Sequence, residues 1–344
     1  MARALFYYDQ RRLNYKLVIA DSSQPDFCGK NQLLVDSLKR NLKIEYKKYE
    51  SNIEIARKLQ DVLGCVETRY TVLGGDDDFF IPRALGRAVE FLETHSDYSV
   101  AHGDAAGFTL KSDRVYGQIA GVSRYNQTTV DHESAAKRVY DHLAGYSATW
   151  YSVQRTDQLR KNFRKAAEFG DIAYFAELLT SCLSLVQGKV KKLDGLYMIR
   201  QCHPENKYGG PDLFDWVTSP RWGSQYERFR DCLVAELTQR DGIDIHQTQA
   251  MIKRTFWFYL ATGFHNQWKD CYPTHGSLPP SDVSLYLHGL RKIGRMLRSL
   301  IVRKSEPEIS LPALLNVSSP YYADFQPIYR AITTVPTEFA SSVS

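Results

Sequence analysis

The amino-acid sequence predicts an α/β fold: a layered, mostly parallel sheet flanked by helices, followed by a helical C-terminal region. Three observations predict it. Short apolar runs alternate with helical-period segments up to about Arg200, the pattern of strands joined by crossover helices. Two of these runs end on carboxylates, Asp21 and Asp76, at the strand ends where open α/β sheets bind ligands. Beyond about Pro220 the strand pattern gives way to long helical segments.

The elements follow in order. Ala2 to Arg12 reads as a helix, and Lys16 to Ala20 (KLVIA) as a short strand running into Asp21-Ser22-Ser23 and the turn residues Gln24-Pro25-Asp26. Lys43 to Lys48 alternates as a second strand, and Ile53 to Leu63 has helical period. Arg69 to Gly75 reads as a buried strand that opens onto Asp76-Asp77-Asp78 and Phe79-Phe80. Pro82 starts a helix with Ala84, Leu85, Ala88 and Leu92 on one face, and Tyr98 to Ala101 is a strand entering His102-Gly103-Asp104. Val115 to Thr129 suits a loop or irregular hairpin, Ser134 to Leu143 a short helix, and Ala148 to Val153 an aromatic strand. Helices are expected near Thr156 to Phe163 and from Ile172 to Val186, then two strands, Val190 to Leu193 and Leu196 to Arg200. The long helical segments beyond are Tyr226 to Leu237, Gln247 to Phe264 and Leu285 to Val302. A boundary near residues 205 to 222 divides a unit of residues 1–210 from a helical region of 211–344.

Composition narrows the class. At 43% hydrophobic and 24% charged residues this is the make-up of a soluble globular chain, with no run of about 18 apolar residues to span a bilayer. There is no secretory signal pattern, and the six cysteines are scattered without a CxxC, which excludes a zinc knuckle or small disulfide scaffold. The expected compartment is the reducing cytoplasm. A net charge of +5 over 344 residues is too modest to indicate nucleic acid.

Asp76, Asp77 and Asp78 carry the strongest chemical signal. Adjacent carboxylates at a strand exit repel one another and resist desolvation, which a divalent cation on oxygen ligands offsets. The competing reading is a solvated acidic turn or a cap for the helix at Pro82.

The runs VIADSS, YTVLGGDDDFFIP, TWYSVQRTDQL, FGDIAYFAELL and GKVKKLDGLYMIRQCHP, in that order and spacing, resemble the family-2-like inverting glycosyltransferases of the GT-A fold, especially bacterial cell-surface members. The resemblance covers residues 1 to about 205. It implies a GT-A-type, Rossmann-like sheet, a nucleoside-diphosphate sugar donor and a glycan or lipid-linked acceptor in polysaccharide or glycoconjugate synthesis. Asp21 takes the place of the acidic residue on the base or ribose, or is simply a turn cap. Asp76, Asp77 and Asp78 match the D-x-D region that binds Mg²⁺ or Mn²⁺ on the diphosphate, with the register open between Asp76/Asp78 and Asp76/Asp77. Asp171 matches the catalytic base, although Gly170 stands where the family often has a second acid, and Asp171 also suits a helix cap. His203 matches a histidine near metal or diphosphate, Arg200 a phosphate partner, and Trp150 and Tyr151 sugar platforms, with core packing expected for at least one of the two aromatics.

The resembling fold begins with a central strand. Ala2 to Arg12 matches the helix after it, so the chain is expected to be N-terminally incomplete. Leu285 to Val302 is a basic amphipathic pattern, with Leu290, Ile293 and Leu297 beside Arg291, Arg295 and Arg298. It either packs on the catalytic unit or contacts the inner face of the membrane through residues 285–304. Two other function classes stand beside the transferase. A nucleotidyltransferase lacks a glycine-rich phosphate loop here, and a catalytically inactive sugar- or protein-binding module would need neither the missing strand nor a second acid at Gly170.

Overall fold

Alternation of helices and strands is borne out through residue 201. The structure, a computed structural model, describes residues 1–112, 114–169, 172–203, 212–271 and 306–335. In chain order the first elements are α1 (Ala2–Gln10), β1 (Leu17–Asp21), α2 (Pro25–Leu38), β2 (Ile44–Lys48), α3 (Ile55–Gly64), β3 (Tyr70–Thr71), β4 (Phe79–Phe80) and α4 (Pro82–Thr94). Pro25 and Pro82 open their helices, where the missing N–H costs nothing. Next come β5 (Tyr98–Leu110), β6 (Ile119–Tyr125), α5 (Ala135–Ala144), β7 (Val153–Arg155) and α6 (Thr156–Ala166). A π-helical turn, Ile172–Ala176, leads into α7 (Glu177–Gln187), followed by β8 (Lys189–Gln201). The helices α8 (Leu213–Thr218), α9 (Trp222–Asp241), α10 (Ile245–Cys271), α11 (Leu311–Leu315) and α12 (Tyr322–Thr333) complete the described chain.

The molecule is α/β, and its strand pairing is mixed. β1 and β2 form a parallel two-stranded sheet, while a second sheet runs β3-β7-β5-β8-β4 with β6 also on β5. The long strands β5 and β8 pair in parallel; the short strands β3, β4, β6 and β7 join antiparallel. β5 is long enough for β7 to pair its first half and β6 its second, so the expected irregular hairpin is the β5–β6 pair.

Three local expectations change. The run Arg69–Gly75 is not one buried strand: only Tyr70 and Thr71 pair, both half-buried, because the chain turns at Gly74-Gly75. Ala148–Val153 is not an aromatic strand, since Ser152 N–H donates back to the Thr149 carbonyl (3.1 Å) and pairing starts at Val153. The two strands expected between Val190 and Arg200 are one. Gly195, at φ 104°, absorbs a register shift against β5 that a side chain would resist. The 285–304 segment lies outside the described residues.

Two cores hold the layers. The first joins α1, α4 and the sheet, and takes in Tyr321, Phe325, Ile328 and Ile332 from the C-terminal segment. The second buries α7 among α5, α9 and α10 around Phe175, Trp216, Phe229 and Phe256. Residues 306–335 are thus part of the sheet's own core. Asp104 of β5, 6% exposed at its side chain, ties them down. Its carboxylate accepts from Arg124 and Lys192 (2.9 Å each) and from the Tyr321 hydroxyl (2.5 Å), while Lys192 also meets Glu306 at 2.7 Å. Asp324, buried on α12, pairs with Arg83 of α4 at 2.5 Å.

Two buried histidines give the fold a pH dependence. His102 Nε2 donates to the Thr128 carbonyl (3.2 Å), so Nδ1 accepts from Ser152 (3.0 Å), and burial pushes its pKa down to about 3. Burial alone lowers His142 to about 4. The unfolded chain takes up these protons below about pH 6.5 and the native state does not, so each histidine withdraws about 1.4 kcal/mol of stability per pH unit below that value. A His142→Phe variant should therefore show a stability profile flatter by about that slope between pH 6.5 and 4.5. Urea unfolding across that range measures it, and an unchanged slope would mean that His142 is protonated in the native state.

Candidate functional site

Strand register builds the site. Phe79 pairs with Ile199 and Phe80 with Met198, so the next positions outward set Asp78 opposite Arg200 and Asp77 opposite Gln201. His203 stands two residues past the end of β8. A tight loop holds the aspartates: Asp78 N–H reaches the Gly75 carbonyl (3.3 Å), and Gly75 N–H donates to Asp78 Oδ2 (2.9 Å). A Cβ on Gly74 would sit 2.5 Å from the Phe80 ring, and one on Gly75 would sit 3.0 Å from the oxygens of Asp77 and Asp78. Glycine is needed at both places because of this approach.

The three aspartates have three environments. Asp76 is at the rim, 74% exposed, beside the Met1 amine at 3.4 Å. Asp77 accepts from His203 Nε2 at 2.6 Å. Asp78 is 2% exposed, and its Oδ1 has no hydrogen-bond partner. Burial raises its pKa to about 6; Arg200 opposes that shift, and Asp77 and Asp76 add to it. Arg200 Nε lies 3.9 Å from Asp78 Oδ1. Its guanidinium is 4.3 Å from the Tyr151 ring centroid and 5.3 Å from that of Tyr125, and it donates to the Tyr151 hydroxyl at 3.1 Å. Burial works against that charge, but Tyr151, Asp78 and Tyr125 together hold the Arg200 pKa above its ordinary value.

The aromatic pair separates at the turn before β7. Trp150 belongs to the core, where its indole N–H donates to Thr180 (2.5 Å) and its ring packs on Phe163, Leu159 and Leu63. No sugar reaches it there. Tyr151 is the member that faces the site.

Asp21 closes the turn after β1. One oxygen accepts from Ser23 N–H (2.8 Å) and the other from Asn31 (2.7 Å) and Tyr46 (2.5 Å). Burial would raise its pKa, but these donors prevail and hold it at about 2. Asp171 lies outside the described residues. On the helix after it, Glu177 accepts from Tyr146 at 2.6 Å, and burial raises its pKa against the pull of Tyr146 and Arg200.

Sequence reasoning missed two cations. Arg3 of α1 is 5% exposed, bonds Gln201, and leaves Nη1 without a partner; burial lowers its pKa against the fields of Asp77, Tyr116 and Asp76. Lys58 of α3 donates to Ser22 (2.7 Å), and burial lowers its pKa against Asp21 and Asp76. Arg3 has a readable signal, an arginine among the apolar residues of an otherwise buried helix face.

Among the described residues no group of three His, Cys, Asp or Glu side chains can hold a metal ion by itself. The donors nevertheless suit an ion shared with a diphosphate. Mg²⁺-type ions take one or two protein carboxylates and complete their shell with phosphate and water, and Asp78 Oδ1 is an orphaned hard donor. Elsewhere, a cavity of about 960 Å³ lined by Arg69, Arg155 and Arg160 has its arginines engaged by Glu93 and by backbone carbonyls. No helix among the described residues is long and apolar enough to cross a membrane.

No protein-family model matches the chain, and no curated protein matches it. Among solved structures the chain is similar to residues 1–349 of S. aureus TarS, at 11% identity and a TM-score of 0.49, over 80% of this chain and 72% of that one. It is likewise similar to a second S. aureus TarS structure at 12% identity and a TM-score of 0.49, over 80% of this chain and 44% of that one.

Proposed function

We propose that the chain is a glycosyltransferase of the GT-A type, moving a sugar from a nucleoside-diphosphate donor to an acceptor hydroxyl with inversion, in polysaccharide or glycoconjugate synthesis. One observation carries the reading: the β4–β8 register gathers Asp77, Asp78, Arg200 and His203 at one strand end, with two buried polar atoms nearby, Asp78 Oδ1 and Arg3 Nη1, left for a ligand to satisfy. Asp78 Oδ1, whose nearest cation Arg200 stands at 3.9 Å, and Arg3 Nη1 are both buried without a hydrogen bond, which is costly, and a ligand bearing both metal-binding and anionic oxygens relieves both.

Roles follow from position. Arg200, fixed by Tyr151 and Tyr125, and Arg3 balance the diphosphate charge. Asp21 fixes the turn against which the nucleoside lies, and Lys58 adds a cation between that turn and Asp76. Asp77, Asp78 and His203 would hold Mg²⁺ or Mn²⁺, with Asp76 at the rim. When bound, the ion supplies charge stabilisation for the departing diphosphate. Asp171, by the sequence resemblance and not by position, takes the proton from the acceptor hydroxyl as its oxygen attacks the anomeric carbon; the bond from that carbon to the phosphate oxygen breaks and nucleoside diphosphate leaves.

An Asp171→Asn variant should lose about 10²–10⁴-fold in turnover while keeping nucleotide affinity, the range for removal of a general base. Release of nucleoside diphosphate, with calorimetric titration of the same nucleotide, measures both quantities. Unchanged turnover would remove Asp171 from the role, and no turnover in the parent chain with any donor would favour a binding module.

A further inference from the structure

Helix α10 is apolar on two sides. Its inner side, with Ile252, Thr255 and Phe256, is buried in the second core. Among the exposed residues of the helix, Lys253, Arg254, Trp257, Ala261, Phe264 and Trp268 fall within about 60° of one line at helical spacing. Trp257 is 69% exposed and Phe264 37%, which is unusual for large rings on a helix already anchored by its other side.

Charge identifies what this face fits. From Ile245 to Trp268 the sequence contains no Asp or Glu, and Lys253 and Arg254 form no ion pair with a described residue. A helix face meant only for water carries both signs of charge, and one meant for another protein's apolar surface has no need of an unbalanced cationic end. Cations at one end and tryptophan with phenylalanine along the rest match the interface of an anionic bilayer, where phosphate headgroups meet the cations and rings sit at the boundary of headgroups and acyl chains.

We propose that the Lys253–Trp268 face of α10 docks the protein onto anionic lipid. The proposal is independent of the catalytic reading, because none of these residues belongs to the site of Asp78 and Arg200.

The test is flotation of the full chain with vesicles of neutral phosphatidylcholine alone and of phosphatidylcholine with one-third phosphatidylglycerol, beside two variants, Trp257→Ala/Phe264→Ala and Lys253→Glu/Arg254→Glu. All four positions are exposed, so far-ultraviolet dichroism and the unfolding midpoint should match those of the parent chain. The expected result is binding to the anionic vesicles, at least about tenfold weaker for either variant and weakened by salt for the parent. Absence of vesicle binding would overturn the proposal. Binding that both variants retain would overturn it too, by placing the contact elsewhere, residues 285–304 included. A concentration-dependent dimer lost in Trp257→Ala/Phe264→Ala, without lipid binding, would assign the face to a second copy and also overturn it.

Discussion

Asp104→Ala is expected to cost about 3–5 kcal/mol of stability, the largest single effect outside the apolar cores. The carboxylate is buried on β5 and compensates two cations at 2.9 Å, Arg124 and Lys192, besides accepting from Tyr321. Its removal leaves two partly buried cations repelling each other and frees the hydroxyl that fastens the start of α12. Burial disfavours its ionised form, but Tyr321, Lys192 and Arg124 win and its pKa is lowered. The stabilisation is therefore complete above the ordinary carboxylate range and disappears as pH falls through the lowered value. Tyr321→Phe removes only one hydrogen bond and should cost about 0.5–1.5 kcal/mol, or somewhat more since the acceptor is charged. Urea unfolding of both variants checks the ratio. Equal small losses would mean that residues 306–335 are held by apolar packing and the Arg83–Asp324 pair, not by Asp104.

Arg200→Ala is expected to reduce transferase turnover by about 10²–10³-fold, as loss of one preorganised charge-stabilising donor does. The variant also leaves Asp78 buried with no counter-charge, so its carboxyl should bind a proton more tightly. Arg200→Lys should recover little, because an ammonium cannot lie over the Tyr151 ring at 4.3 Å, bond its hydroxyl and reach Asp78 together. Steady-state kinetics of the three proteins with one donor measure this. Full activity in Arg200→Lys would reduce the residue to a point charge.

The legible parts of the fold were those with a strong local signal. KLVIA, the alternating 43–48 segment and the helix that Pro82 starts all appear where the pattern puts them. Expectations changed where backbone geometry outweighed pattern. Gly74-Gly75 ends pairing at Thr71, and Gly195 lets one strand continue where composition suggests two. The end of the chain was illegible for another reason: the buried positions of α12 join a core built mostly by residues before 200, a contact that no local period reports.

The site divides in the same way. Asp77, Asp78, Arg200 and His203 are legible because each stands at a strand end, and the β4–β8 register then brings them together. Arg3 and Lys58 come from helices, not strand ends; Arg3 is marked only by its place among apolar residues, and Lys58 reads as an ordinary surface cation. Trp150 and Tyr151 are adjacent, and only the direction of the backbone decides that the tyrosine meets Arg200 while the tryptophan enters the core.

Thermal unfolding of the chain against UDP, GDP and CMP, with and without Mn²⁺, beside an Asp77→Asn/Asp78→Asn variant, tests the central claim most directly. A ligand at a hundred times its dissociation constant adds about 2.7 kcal/mol to the native state and raises the midpoint. A Mn²⁺-dependent rise with one nucleoside diphosphate, abolished in the variant, is the expected result. An equal midpoint in every condition, from a chain that unfolds cooperatively, would contradict it.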